Sequence, residues 1–264
     1  MKAGIWLGAC LFLLCACRTE EGCIPDYCGT RDSSRFQTSE LYPQFVVESR
    51  ADGQTYVTAR WAYDPYGSSH IRLVDGDALT VKAAGYSVRA QRCGSDDTTY
   101  CASIPAIQEG TEFVLEFERG GGRQNATSTG TLGKPFQITA PQEGEHFTYD
   151  DTLVVTWTDF GDLEDPVGVG LHGACTSGTS RTHGEYGVTS DDDGIATISL
   201  RDYADTSLDP ACTSYDVTLT VSRGRGGQND PAYAPSDECE TGCFRSDNFV
   251  LGHSRSLQFV LTPN

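Results

Sequence analysis

Lysine and methionine are nearly missing from this chain. Lys2, Lys82 and Lys134 are the only lysines and Met1 the only methionine. Positive charge is scarce as a whole, with 19 Lys and Arg against 37 Asp and Glu, a formal net charge of -18. Such a surface repels nucleic acid and anionic lipid headgroups, which removes DNA and RNA from the partners to consider. Long apolar runs are lacking too. The one uncharged, mostly apolar stretch is Ala3 to Ala16, well short of the roughly 20 residues of a membrane-spanning helix. From Phe36 to Lys134 no 11-residue window carries a helical stripe. Catalytic constellations are equally sparse: there is no G-x-S-x-G elbow, no H-E-x-x-H and no Cys-His pair with a family context. Nothing selects two carboxylates as a glycosidase pair. The chain therefore reads as a non-enzyme.

The apolar stretch is where the positive information begins. Lys2 supplies a charged n-region, the run to Ala16 is a signal-peptide h-region, and it ends in Leu14-Cys15-Ala16-Cys17. This end resembles the lipobox of bacterial lipoproteins, with Leu14 at −3, a small residue at −1 and the modified cysteine at +1. The resemblance covers about the first 18 residues. It implies cleavage before Cys17, a thioether-linked lipid on that cysteine and acylation of the new amine. Several chains are needed because one acyl group anchors only marginally. Arg18, where inner-membrane lipoproteins of enteric bacteria often carry Asp, favours the outer membrane.

Of 11 cysteines, Cys10 and Cys15 leave with the signal and Cys17 takes the lipid. Eight remain, an even number in an exported chain, and disulfides are the expectation. Locality suggests Cys23–Cys28, Cys93–Cys101, Cys175–Cys212 and Cys239–Cys243. A thiolate zinc site at Cys239 and Cys243 with Cys23 and Cys28 is the alternative, which export disfavours. Charge is uneven: residues 17–134 carry 12 basic and 16 acidic residues, and residues 135–264 carry 6 and 21.

Residues 17–35 are polar and turn-rich and read as a tether. From Phe36 to Lys134 short strands and turns alternate. Val57, Ala59, Trp61 and Tyr63 interleave with Thr58, Arg60 and Ala62, a period of two. Ile71-Arg72-Leu73-Val74 and Leu79-Thr80-Val81 flank an Asp75-Gly76-Asp77 turn, and Tyr86 to Val88, Tyr100 to Ile104 and Phe113 to Phe117 follow. After the join at Thr131 to Pro135, a second set holds Phe136 to Ile138, Leu153 to Trp157, Val167 to His172, Ile195 to Leu200, Tyr215 to Val221 and Leu257 to Leu261. A long loop between Gly224 and Asp247 carries Cys239 and Cys243. The expected fold class is all-β: two tandem Ig-like antiparallel β-sandwiches, 36–134 and 135–264, the second with longer loops, after signal peptide (1–16) and tether.

The two sets read as a diverged duplication. Val57-Thr58-Ala59-Arg60-Trp61 parallels Leu153-Val154-Val155-Thr156-Trp157, and Phe117 to Asn125 parallels Val221 to Asn229 around a shared Arg-Gly motif. At Phe136-Gln137-Ile138-Thr139-Ala140-Pro141, then Gly144 and the Trp157 strand, the sequence resembles bacterial Ig-like and fibronectin-III-like modules. Leu73-x-x-Gly76-Asp77-x-Leu79 looks like a pattern in uncharacterised exported bacterial proteins. Neither likeness implies an activity.

The candidate sites each have a plainer structural reading. Gly120 to Gly122 could cradle an anion, but the phosphate loop's Lys-Ser/Thr and following helix are missing, so a hairpin loop with positive-φ glycines is expected. Asp191, Asp192 and Asp193 are weak calcium candidates, as are Asp159, Asp162, Glu164 and Asp165; neither group has EF-hand spacing. His172, Cys175, His183 and Glu185 converge if Val167–His172 pairs with 182–186. Asn125-Ala126-Thr127 is a glycosylation sequon of little meaning in a bacterial lipoprotein. Tyr63, Tyr66 and Tyr233 could stack on sugar rings. The expected function is a lipid-anchored, non-enzymatic interaction or structural module of the cell envelope, with the membrane, through Cys17, and an envelope protein or glycan as partners. A glycan- or calcium-binding surface protein is the alternative, with a hydrolase behind both.

Overall fold

A computed structural model describes residues 29–263 except 65–68, 96, 106–107, 159–166, 177–183, 191–192 and 235–248. Two compact units emerge. Among the described residues, one takes in 29–134 together with Arg225–Gly252; the other takes in Pro135–Gly224 and 253–263.

In the first unit, β1 (Gly29–Asp32) pairs in parallel with β4 (Ser69–Arg72). One antiparallel sheet contains β2 (Tyr42–Ser49), β3 (Thr55–Ala62) and β8 (Tyr100–Ile104), with β7 (Gln91–Arg92) beside β8. The other has the order β10 (Ala126–Thr131), β9 (Glu112–Glu118), β5 (Ala78–Ala83), β6 (Tyr86–Arg89). Period-two patterning explains the packing. Phe45 and Val47 of β2, Val57, Ala59 and Trp61 of β3, and Phe113, Leu115 and Phe117 of β9 all face inward and are buried. Trp61 stacks on Phe117 at 4.6 Å and meets Phe45 edge-on at 5.5 Å. Each such contact adds about 1 kcal/mol beyond burial.

In the second unit, β11 (Ile138–Ala140), β13 (Thr152–Trp157) and β16 (Ile195–Ser199) form the three-stranded sheet. The facing sheet runs β15 (Gly184–Ser190), β14 (Val167–Cys175), β17 (Tyr215–Gly226), β18 (Phe249–Thr262), with β12 (His146–Thr148) parallel to β18. Both units thus share one connectivity: first, second and fifth strands in one sheet, and third, fourth, sixth and seventh in the other. That is the strand order of an Ig-like sandwich of the fibronectin-III kind, and each chain half builds it. The repeated Trp61 and Trp157 occupy the corresponding second strands, β3 and β13.

Three expectations need correction. Residues 29–35 are not a tether: β1 adds to β4, and Ser33–Arg35 and Thr38–Glu40 form 3-10 turns. Arg225–Gly252 packs with the first unit although the sequence expectation set it within 135–264. Its Tyr233, Phe249 and Leu251 belong to the first core, and Gln228 exchanges backbone bonds with Thr129 at 2.7 and 2.9 Å. An unpaired edge on β10 and a stretch with its own apolar side chains explain that docking. Finally, an α-helix, α1 (Leu200–Ser207), follows β16, where the expected strand ended at Leu200 and no helix was expected. Ser199 caps it by accepting from the Asp202 amide at 3.2 Å, and Leu200, Tyr203 and Ala204 bury one face. Eight residues are too few for a stripe to show in a longer window. Just after it, the buried Tyr215 donates its hydroxyl hydrogen to the carbonyl of Asp209, the tyrosine corner expected at the sixth strand of such sandwiches. Phe113 stands at the start of the first unit's sixth strand, β9.

Candidate functional site

Two polar constructions stand out, both in the first unit. The first is built on Asp77. Val74 to Asp77 form a tight turn in which Asp75 (φ 55) and Gly76 (φ 88) are both left-handed and the Asp77 amide donates to Val74 O at 3.0 Å. Asp-Gly suits such a turn because both central positions need positive φ. The turn delivers the Asp77 carboxylate, fully buried, to the end of β9. There Oδ2 accepts from Arg119 Nε at 3.1 Å, and Oδ1 accepts from Gly120 N at 2.7 Å and Arg123 Nη2 at 3.1 Å.

Arg119 is buried completely, and its remaining hydrogens reach out to the N-terminal segment. Nη1 donates to Thr38 Oγ1 at 3.1 Å, and Nη2 donates to the carbonyls of Ser33 and Phe36, both at 2.9 Å. Arg123 adds a bond to Ser33 O at 3.0 Å. Burial pulls the Arg119 guanidinium below its ordinary value, and the Asp77 charge opposes that pull. Close packing fixes the motif's glycine: a Cβ on Gly120 would lie 1.9 Å from the Asp75 carbonyl oxygen. Gly121 (φ 67) and Gly122 (φ 75) turn the chain, and Asn125 Oδ1 closes the loop on the Arg119 amide at 2.8 Å. The Arg-Gly-Gly stretch is thus a structural hairpin that fastens residues 33–38. Its second copy differs, because β17 runs on in extended form through Gly226. Arg223 there lies over the Phe136 ring at 5.2 Å.

The second construction is a shallow groove of about 340 Å³ lined by Thr30, Arg31, Asp32, Arg35 and Arg72. The parallel register sets Asp32 opposite Arg72. Asp32 Oδ1 accepts from Arg72 Nη2 at 2.6 Å and Nε at 2.9 Å, while Asp97 accepts from Nη1 at 2.9 Å. The bonds to Asp32 and then Asp97 raise the Arg72 pKa above its ordinary value. The Arg31 guanidinium lies over the Tyr63 ring at 5.1 Å, and that ring stacks on Phe36 at 5.2 Å. Arg35 is exposed at the end of its 3-10 turn.

The residues singled out from sequence are placed as follows. Cys93 and Cys101 are bonded, as are Cys175 and Cys212. Cys17, Cys23, Cys28, Cys239, Cys243, Tyr66, His183, Asp191, Asp192 and the group Asp159, Asp162, Glu164 and Asp165 lie outside the described residues. Asp193 accepts from the Ile195 amide at 3.1 Å, an Asx turn that opens β16. Among the described residues no three His, Cys, Asp or Glu side chains are grouped to hold a metal ion. His172 and Glu185 are register partners in β14 and β15, while Cys175 is committed to its disulfide. Tyr63 is covered by Phe36 and Arg31. Tyr233 is buried against Phe45 at 6.3 Å and Phe117 at 6.2 Å, so it offers no ring to a sugar, contrary to expectation. The groove was missed because its parts come from β1, a 3-10 turn and β4. The Asp75-Gly76-Asp77 turn was legible; the arginines that answer it were not.

No family model matches the chain. No curated protein matches it either. Among solved structures, a three-domain immunoglobulin segment of titin, in a Glu-to-Ala variant, is 9% identical with a TM-score of 0.24. The comparison covers 84% of this chain, which spans 65% of that structure's length.

Proposed function

We propose that the chain is a bacterial cell-envelope lipoprotein, anchored through lipid on Cys17, whose two sandwiches act as a non-enzymatic interaction or structural module. The motif Leu14-Cys15-Ala16-Cys17 supports the anchor, and Arg18 supports the outer membrane. The observation that carries the module reading is the fastening of residues 29–38. β1 adds to β4, and Arg119 and Arg123 grip the Ser33 and Phe36 carbonyls. A body tied this closely to the chain just beyond an anchor would hold its loops at a set distance from the membrane, and loops on rigid scaffolds are where binding residues concentrate.

Intact-mass measurement of the protein extracted from membranes tests the anchor. The expected species starts at Cys17 and carries a diacylglyceryl adduct, and Cys17→Ser abolishes it. An unmodified, freely released chain would overturn the reading. For the module, cross-linking in the envelope should capture a defined component, and capture of none in several strains would count against it.

A further inference from the structure

One sheet edge of the first unit is open, and the chain around it is basic. Residues 78–95 contain Lys82, Arg89 and Arg92 and no Asp or Glu, in a chain where acidic residues outnumber basic ones 37 to 19. This stretch builds β5, β6 and β7. β6 ends its sheet: β5 pairs with one side of it, and no described strand pairs with the other. The opposite edge, β10, is already met by Gln228.

The turn before β6 fixes which backbone groups stay open. Ala84 (φ 48) and Gly85 (φ 84) make a two-residue hairpin turn, so the flanking pair Ala83 and Tyr86 is hydrogen-bonded. Alternation carries that bonding to Val88 and then to Ala90, whose amide donates to Leu79 O at 2.8 Å. The N–H and C=O of Ser87 and the N–H of Arg89 therefore point away from β5. The Arg89 carbonyl accepts from the Gln91 side chain at 3.3 Å, a cover that one side-chain rotation removes. Side chains alternate along the same strand. Tyr86, 49% exposed, and half-buried Val88 share one face. Ser87 and Arg89 share the other, opposite Lys82 and Thr80. Lys82 is paired with Glu116 at 2.6 Å, whereas the Arg89 guanidinium has no ion pair or hydrogen bond among the described residues.

We infer that the open edge of β6 takes an added strand, an extended segment of a partner protein in which acidic and apolar residues alternate. Strand addition supplies main-chain hydrogen bonds, and alternate side chains read the partner. On one face the added strand would lay apolar side chains beside Tyr86 and Val88. On the other it would set carboxylates beside Arg89, an opposite-charge neighbour across the new ladder. A second copy of β6 fits the same edge poorly, because self-pairing through Ser87 and Arg89 places two Arg89 side chains on one small face. The inference deepens the interaction-module reading above and rests on it.

The test is fluorescence anisotropy with the full chain and a short rhodamine-labelled peptide of alternating glutamate and valine. The control peptide carries lysine in place of glutamate. The acidic peptide should bind saturably and more weakly as salt is raised, and the basic one should not bind. Arg89→Glu should weaken the acidic peptide about tenfold or more, while Arg50→Glu, the same charge change on the exposed end of β2, should leave it unchanged. Ser87→Pro removes an outward N–H that β5 does not use and should abolish binding. Circular dichroism checks that each variant is folded, and Arg89→Glu decides if Ser87→Pro is not. No saturable binding below about 1 mM, equal binding of both peptides, or equal effects at Arg50 would overturn the site. A dimer in sedimentation that Arg89→Glu abolishes would give the edge to a second copy and overturn the acidic partner. Envelope cross-linking that survives Arg89→Glu would leave the module reading standing and remove this edge from it.

Discussion

Arg119 and Asp77 form an ion pair, Nε to Oδ2 at 3.1 Å, in which neither side chain is exposed to solvent. The pair sits between a turn and the end of a strand, 42 positions apart in sequence. Gly120, Arg123, Ser33, Phe36 and Thr38 all hydrogen-bond to the pair. Breaking one side should therefore cost more than removing both. Arg119→Met leaves a buried carboxylate, and Asp77→Leu leaves a buried guanidinium, each expected to cost about 3–5 kcal/mol. The double replacement should recover a good part of that. Urea unfolding of the four species of the cycle measures it, and strictly additive losses would show that the two residues do not act as a pair.

Tyr233 discriminates between a surface ring and a core ring. Its burial in the first unit predicts that Tyr233→Ala costs about 3–5 kcal/mol, the range for truncating a buried aromatic. Trp61 lies in the same cluster, so its fluorescence should report the loss. A variant as stable as the parent would return Tyr233 to the surface and reopen the sugar-stacking idea.

The two disulfides in the described residues close loops of different length, with separations of 8 for Cys93–Cys101 and 37 for Cys175–Cys212. Chain entropy then assigns about 2.5 kcal/mol to the short loop and about 4 kcal/mol to the long one. Paired Cys-to-Ala replacements, compared by thermal unfolding, should keep that order. Equal losses would mean that native contacts around each bridge outweigh loop closure.

Alkali should find the buried tyrosines. Burial pushes the hydroxyls of Tyr203 and Tyr233 far above their ordinary value, and Tyr100 is raised by burial as well. The folded chain then keeps protons that the unfolded chain loses from about pH 10. Stability is intact below that pH and falls as pH climbs above it, because the unfolded state binds fewer protons there. In a near-ultraviolet titration these tyrosines should ionise only together with unfolding. Smooth ionisation in a chain still folded by circular dichroism would contradict their burial.

How much of this was legible beforehand depended on the range of the interaction. Strand period, the duplicated Trp61 and Trp157, and the Asp75-Gly76-Asp77 turn are local signals, and they located the strands and the two-sandwich plan. The helix at Leu200–Ser207 left a local signal too, Ser199 three positions before Asp202, but one too short for periodicity to register. Tyr233 misled because loop composition around it resembles exposed chain.

What the sequence determined by itself is therefore its class and its likeness between halves: all-β, acidic and cysteine-bearing. Only the tertiary structure decided that Arg225–Gly252 completes the first unit, that Arg119 answers Asp77, and that Arg31, Arg35 and Arg72 share one groove. Backbone period is written into neighbouring residues, since strand geometry repeats every two. Which buried charge meets which, and which edge accepts a distant segment, depends on pairings across tens of residues. Those are chosen by the requirement that no buried charge or sheet edge be left unanswered.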